Sequence, residues 1–115
     1  MHGQYRQGDY LLETVDSIPA EAKLVEREDG RVIVGRGEKT GHHHAIAEQG
    51  VELLEAPAHD WPVFGEPPAK ARFLSVPQEA YLVHEEHNTV TLPAGNYRVI
   101  QQRQYTPAKV MPVWD

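Results

Sequence analysis

Two short segments hold five of the seven histidines in this chain. The first is the triplet His42–His44, with Glu48 shortly after it, and the second is His84-Glu85-Glu86-His87. The chain has no cysteine, which excludes thiolate ligands and leaves imidazole and carboxylate groups as the donors for zinc, iron, manganese or nickel. The two segments therefore predict one divalent metal site. Its predicted ligands are His42, His44, Glu48, His84 and His87.

The spacing within the first segment suits a strand. Side chains alternate between the two faces of a strand, so His42 and His44 are expected on one face and His43 on the other. Glu48 follows on the face of His44, and His87 is expected in a turn after the strand that ends near His84. Exposed histidines without any special role remain the structural alternative.

The elements that must position these residues have the pattern of β-strands. Short runs of period 2 are separated by Gly, Pro, Asn or Asp, and no helix longer than a turn or two is indicated. The prediction is an all-β, single-domain β-barrel or sandwich of about eight short strands. Hairpins are expected at Asp29-Gly30 and at Gln49-Gly50. Residues 56–70 form a proline-rich loop, and residues 107–115 an extended tail.

Composition narrows the class of protein. With 115 residues the chain fits one domain, and 11 Lys+Arg against 17 Asp+Glu give a net charge of -6. That balance makes nucleic acid an unlikely partner, and the arginines after residue 96 are interpreted as neutralising acidic neighbours. No apolar run has the length of a membrane span and the start lacks the apolar core of a signal peptide, so a cytoplasmic protein is expected.

Two resemblances add to these observations. His42-x-His44-x-x-x-Glu48 resembles the first metal motif of the cupins, which are small β-barrels that hold an ion with two histidines and a glutamate. The second cupin motif has no counterpart here, because no histidine follows Pro93-Ala94-Gly95. The Thr40–His44 and His84–His87 motifs also resemble a group of small uncharacterised bacterial and phage proteins, which implies a shared site and no particular reaction.

Several functions stay open at this point. The leading hypothesis is a metal-binding protein, with metal-dependent hydrolysis or oxygen chemistry on a small molecule as its enzymatic form and Glu85 or Glu86 as the general base. Whether the chain is an enzyme is left undecided. The alternative is a non-enzymatic homo-oligomeric assembly or interaction module, associated with phage or defence systems, which uses Trp61, Phe64 and the apolar tail for contacts.

Overall fold

Alternating apolar residues form ten β-strands within residues 3–36, 41–57 and 70–101, which the computed structural model describes. The strands are β1 (Gln4–Gln7), β2 (Tyr10–Val15), β3 (Lys23–Val25), β4 (Val32–Arg36), β5 (His43–Ile46), β6 (Glu52–Pro57), β7 (Lys70–Val76), β8 (Ala80–Val83), β9 (Val90–Leu92) and β10 (Gly95–Gln101). The all-β prediction is therefore confirmed.

The strands form two antiparallel sheets. The six-stranded sheet has the order β1-β2-β10-β7-β6-β3, and the four-stranded sheet has the order β4-β5-β8-β9. The two sheets do not close into a barrel, so the sandwich is the correct one of the two predicted architectures. Within the six-stranded sheet, Arg98 on β10 lies opposite Glu13 on β2, which fits the neutralising role that was expected for this arginine.

The core lies between the sheets. Leu12, Leu74 and Tyr97 of the six-stranded sheet are fully buried, and so are Ile46, Leu82 and Leu92 of the four-stranded sheet. On β8 these inward side chains alternate with exposed ones, whereas β2, β5 and β7 have two or three consecutive buried residues. Burying such aliphatic side chains contributes roughly 1.5–3 kcal/mol each, which makes this layer the main source of stability.

Two inward rows of the four-stranded sheet end in histidine. On β5 the side chain of His44 points the same way as that of Ile46, and after β8 His84 continues the row of Leu82. His44 is 1% exposed and His84 is 8% exposed. One end of the apolar core therefore continues directly into imidazole rings.

The predicted turn at Asp29-Gly30 is present, but the hairpin around it is not. Both residues have positive φ, 53° and 77°, as a type I′ turn requires, and Glu28 and Arg31 exchange both backbone hydrogen bonds. The pairing stops after this single bridge, because β3 pairs with β6 and β4 pairs with β5. The turn therefore links the two sheets.

The pairing predicted around Gln49-Gly50 is wrong for a similar reason. β5 pairs with β4 and β8, whereas β6 pairs with β3 and β7, so the chain crosses from one sheet to the other in residues 47–51. The guanidinium of Arg27 donates hydrogen bonds to the carbonyls of Glu48 and Val51 and holds this crossover. A local glycine turn signal does not reveal which sheet the next strand joins.

Both ends of the segment predicted as a loop, residues 56–70, belong to strands, and residues 58–69 lie outside the described part of the chain. Ala56 and Pro57 belong to β6 and lie opposite Ala71 and Lys70 of β7. Trp61, Phe64 and the tail at 107–115 lie outside the described residues. Across the part of the chain that is described, no helix has the length and apolar character needed to cross a membrane.

Candidate metal centre

The pairing of β5 with β8 brings the two histidine segments together. Ala45 lies opposite Val83, and Ile46 lies opposite Leu82. Continued by one residue, the same register puts His44 opposite His84, and their ring centroids are 4.3 Å apart. The pairing of the strands thus brings the two segments together, which is the condition on which the predicted site depends.

Two further imidazoles join this pair. The ring of His42 lies 5.6 Å from that of His84, edge to face. His87, exposed in the turn after β8, lies 4.6 Å from His84 and stacks on His44 at 6.0 Å. Among the described ring contacts His43 is absent, as strand alternation predicts. We call His42, His44, His84 and His87 the histidine cluster.

Three side chains offer ligand atoms at mutual distances that suit a metal. One ligand atom each from His42, His84 and Glu85 all lie within 4.8 Å of one another. Glu85 is held in place by the backbone, since its Oε1 accepts a hydrogen bond of 2.9 Å from the N–H of His43. The antiparallel register therefore delivers a carboxylate to the same end of the sheet as the imidazoles.

The other two glutamates occupy different positions. Glu48 lies away from the histidine cluster, because its carboxylate accepts a hydrogen bond of 3.2 Å from the backbone N–H of Tyr81, three residues before His84. The structure thus does not bring Glu48 to the predicted ligands. Glu86 does reach the cluster, with Oε2 3.9 Å from Nδ1 of His42.

Burial and mutual repulsion keep the inner imidazoles neutral. Burial, and next the neighbouring His84, lower the pKa of His44 to about 4. Burial, and next His87, also lower the pKa of His84. The backbone hydrogen bond from His43 lowers the pKa of Glu85. Neutral imidazoles and a charged carboxylate are the protonation states in which these groups bind a metal.

A hydrogen bond within the turn after β8 defines the tautomer of His84. The backbone N–H of Glu86 donates to Nδ1 of His84 over 3.0 Å. A neutral ring that accepts at Nδ1 carries its proton on Nε2. His84 therefore has no unengaged nitrogen lone pair in this structure, and it can bind a metal only when this hydrogen bond opens.

The turn between β1 and β2 covers the cluster, and the sequence patterns above did not identify it. Gln7 is 2% exposed and its Oε1 lies 2.7 Å from Nδ1 of His44. A Cβ added to Gly8, which has φ +60°, would lie 2.9 Å from Nε2 of His87. The negative charge of Asp9 also acts on His44. The two-residue signal Gly8-Asp9 between alternating segments could have predicted this hairpin.

Tyr10 completes the cover over the cluster. Its ring centroid lies 4.8 Å from that of His44, and its side chain is buried. The ring occupies the space above Gly35, where an added Cβ would come within 2.1 Å of it. A bulge at this point of β4 shifts the register between Ile33 and Gly35, and the side chain of Arg72 from the opposite sheet hydrogen-bonds the Val34 carbonyl.

The comparisons with known proteins give one match. Residues 6–102 match the model of the family described as Domain of unknown function (DUF8820). The chain belongs to this family. The match spans β2 to β10 and includes the whole histidine cluster, and it agrees with the expected resemblance to uncharacterised proteins. Comparisons with curated proteins and with solved structures gave no match.

Proposed function

We propose that this protein binds one divalent transition-metal ion, zinc, iron, manganese or nickel, at the end of the sandwich. His42, His84 and Glu85 are the first three ligands. The observation that carries the proposal is their convergence, with ligand atoms within 4.8 Å of one another on two strand ends that pair through neighbouring residues. This set retains His42 and His84 from the ligands predicted from the sequence, omits His44, Glu48 and His87, and uses Glu85, which the sequence suggested as a general base, as a ligand.

The donor set supports this choice of metal. Two imidazoles and one carboxylate form the ligand combination of many catalytic zinc sites and of non-haem iron oxygenases. Ligand atoms around a zinc ion with bonds of about 2.0–2.1 Å are separated by roughly 3.3 Å in a tetrahedral site. The ligand atoms must therefore approach one another by at most about 1.5 Å, which the exposed Glu85 and the half-buried His42 can do by rotating.

The same arrangement gives the proposal its enzymatic form. A metal that keeps one coordination position for water lowers the pKa of that water. Zinc keeps such a position with three protein ligands, and iron, manganese or nickel with five or six ligands keeps one even beside four protein ligands. Glu86, whose carboxylate lies 3.9 Å from His42, is then the candidate general base for hydrolysis of a small molecule or for handling protons in oxygen chemistry. Metal binding is the first step of this proposal, and catalysis depends on it.

Metal content tests the proposal. The protein is purified without a tag, dialysed against Zn²⁺, Fe²⁺, Mn²⁺ or Ni²⁺, and analysed for metal and for melting temperature with and without chelator. We expect about one ion per chain and a higher melting temperature for at least one metal. The double variant His42→Ala/His84→Ala should lose both, whereas His43→Ala should retain both. Wild-type protein that binds none of the four metals in stoichiometric amount would overturn the proposal.

Self-assembly is a second candidate function that one observation favours. Tyr81 and Val83 are 41% and 49% exposed on β8, and both point away from the core of the four-stranded sheet. Two such faces can cover each other in a homodimer. Light scattering over a range of concentrations should show a dimer for the wild type and a monomer for Val83→Glu. A wild-type monomer at every concentration would reject this candidate.

A further inference from the structure

We infer that Gln7 is a positioning residue of the proposed metal site, and that it presents His44 as a fourth protein ligand through Nε2. This inference rests on the proposed function, since it concerns the same ion. It adds a buried residue from the other sheet to the site, and it assigns His44 a defined tautomer and a defined ligand atom.

The hydrogen bonds of Gln7 determine how its amide group is oriented. Its Nε2 lies 2.8 Å from the carbonyl oxygen of Leu82 and 2.9 Å from that of Asn88. Carbonyl oxygens only accept hydrogen bonds, so the NH₂ group of Gln7 must face both of them. The remaining atom, Oε1, is an acceptor and faces His44 at 2.7 Å.

This orientation in turn determines the tautomer of His44. Because Oε1 of Gln7 can only accept, Nδ1 of His44 must carry the proton and donate it. The neutral ring then has its lone pair on Nε2, on the side away from Gln7. Metal-binding histidines characteristically donate their other N–H to a protein oxygen in this way, which fixes the ring and strengthens the ligand.

The position of His44 supports its role as a ligand. It lies on the same face of the chain as His42, and its ring is 4.3 Å from the ring of His84. Its side chain is only 1% exposed, so its orientation is fixed by packing against Tyr10 on one side and His84 on the other. Because His44 is not among the side chains whose ligand atoms lie within 4.8 Å of one another, the more exposed ligands must move toward its fixed ring when the ion binds.

Gln7 also holds the segment that carries the other ligands. Leu82 precedes and Asn88 follows the stretch from His84 to His87, and one amide group joins both ends. A single side chain therefore connects β1, β5 and the turn after β8. Loss of this amide affects His44 directly and the turn indirectly, and the experiment must separate these two effects.

The tautomer is tested on metal-free protein by long-range ¹H–¹⁵N NMR of the imidazole rings. Wild type should show His44 with its proton on Nδ1 and a bare Nε2. Gln7→Met removes the acceptor and should lose this single-tautomer pattern. Gln4→Met places the same change on the exposed part of β1 and should preserve it. A His44 proton on Nε2 in the wild type would overturn the inference.

A second experiment measures the affinity of the variants for Zn²⁺. We expect Gln7→Met to bind Zn²⁺ about 10- to 100-fold more weakly than the wild type, the range found for outer partners of metal ligands. In a His44→Phe background, Gln7→Met should cause no further loss, because Gln7 acts through His44. A further loss of similar size in that background would mean that Gln7 acts only on the turn, and would overturn the inference.

The two proposals fail in different ways. If the wild type binds none of the four metals, the proposed function fails, and the role of His44 as a fourth ligand fails with it. If the wild type binds Zn²⁺ and both Gln7→Met and His44→Phe bind it with the affinity of the wild type, the metal site has three ligands and the role of Gln7 is rejected.

Discussion

Burial sets the protonation state of His44, the residue at the base of the histidine cluster. Its ring is packed between Tyr10 and His84, and its Nδ1–H donates a hydrogen bond to Oε1 of Gln7. A charged imidazole here would lose its hydration and would lie beside two other histidines, so the neutral form is strongly preferred. The same environment that excludes a second proton leaves a lone pair for a metal.

Acidification should therefore destabilise the metal-free protein through His44. In the unfolded chain His44 binds a proton below its ordinary pKa of 6.5, whereas in the folded protein it does so only below a pKa of about 4. Its stabilising contribution is complete above pH 6.5 and is lost as the pH falls toward 4. A shift of this size corresponds to roughly 3 kcal/mol in the free energy of unfolding.

Urea unfolding at pH 7 and at pH 4.5 measures this effect. The wild type should lose clearly more stability between the two values than His44→Phe, which has no proton to bind. His84 and Glu85, whose pKa values are also lowered, give losses of the same sign in both proteins. An equal loss in wild type and variant would show that His44 is not kept neutral by folding.

Gly8 allows the β1–β2 turn to pack closely against the rings of His44 and His87. Gly8→Ala adds a methyl group 2.9 Å from Nε2 of His87 and 3.2 Å from the ring of His44, and it also strains a backbone with φ +60°. Gly30→Ala imposes similar strain at φ +77° but meets nothing within 4 Å. Both variants should lose about 1–2 kcal/mol of stability from the left-handed backbone.

Only Gly8→Ala should also weaken metal binding, since it alone displaces rings of the cluster. Calorimetric titration with Zn²⁺ of the two variants, at a temperature where both are folded, makes the comparison. Equal affinities in the two variants would contradict the close approach of Gly8 to the site.

At the level of elements, two turns from different parts of the chain meet at the site. The segment from His84 to His87 contains proposed ligands, and the β1–β2 turn covers them and is connected to Leu82 and Asn88 through the hydrogen bonds of Gln7. The strands themselves are ordinary, and the antiparallel register of β5 and β8 is what places the two histidine segments side by side. The proposed site therefore forms where the ends of β5 and β8 and the turns next to them meet.

Metal binding should open one hydrogen bond in the turn after β8. The Glu86 N–H donates to Nδ1 of His84, and this contact is lost whichever ring nitrogen binds the ion. Binding at Nδ1 replaces the contact directly, while binding at Nε2 moves the proton to Nδ1, where it faces another donor. We therefore expect the Glu86 amide resonance to shift strongly and to exchange faster with solvent when Zn²⁺ is added.

Amide NMR with and without Zn²⁺ checks this expectation, with the Glu85 N–H and the strand amides of β10 as internal references. An unchanged Glu86 amide in protein that has bound one equivalent of Zn²⁺ would remove His84 from the ligand set.

The sequence predicted the two histidine segments of the cluster but not the residues that contact them. Histidine spacing and strand periodicity singled out His42, His44 and His84 because residue type and strand alternation are local properties. The sequence gives no sign of the contacts of Gln7, because an amide is not a typical metal ligand and these contacts form only where β1 lies beside the turn after β8. Glu48 was predicted on the face of His44 by strand alternation, but β5 ends at Ile46 and the alternation does not continue to residue 48.

Sheet assignment shows the same limit. The Asp29-Gly30 turn forms as predicted, but turn chemistry fixes only four residues and carries no information on the sheet that each strand joins. That choice depends on long-range packing of inward rows such as those of Leu53 and Ile46, which lie in different sheets. Local patterns therefore predicted the strands well and their partners poorly.

At the level of the whole molecule, the sandwich gives the site both a rigid base and an open side. The apolar layer between the sheets fixes His44 and His84 from below, while His42, Glu85 and His87 are partly or fully accessible. An ion bound there would link strand ends of one sheet under a turn of the other. By mass action such an ion stabilises the fold by about 2.7 kcal/mol at a free concentration 100 times its Kd.

Anomalous X-ray scattering from crystals grown with Zn²⁺, recorded on both sides of the zinc absorption edge, tests the central claim most directly. The expected result is one strong peak per chain, about 2.0–2.3 Å from a ring nitrogen of His42, a ring nitrogen of His84 and a carboxylate oxygen of Glu85. A protein without a peak at this position, or with zinc held only by other residues, would contradict the metal centre described above.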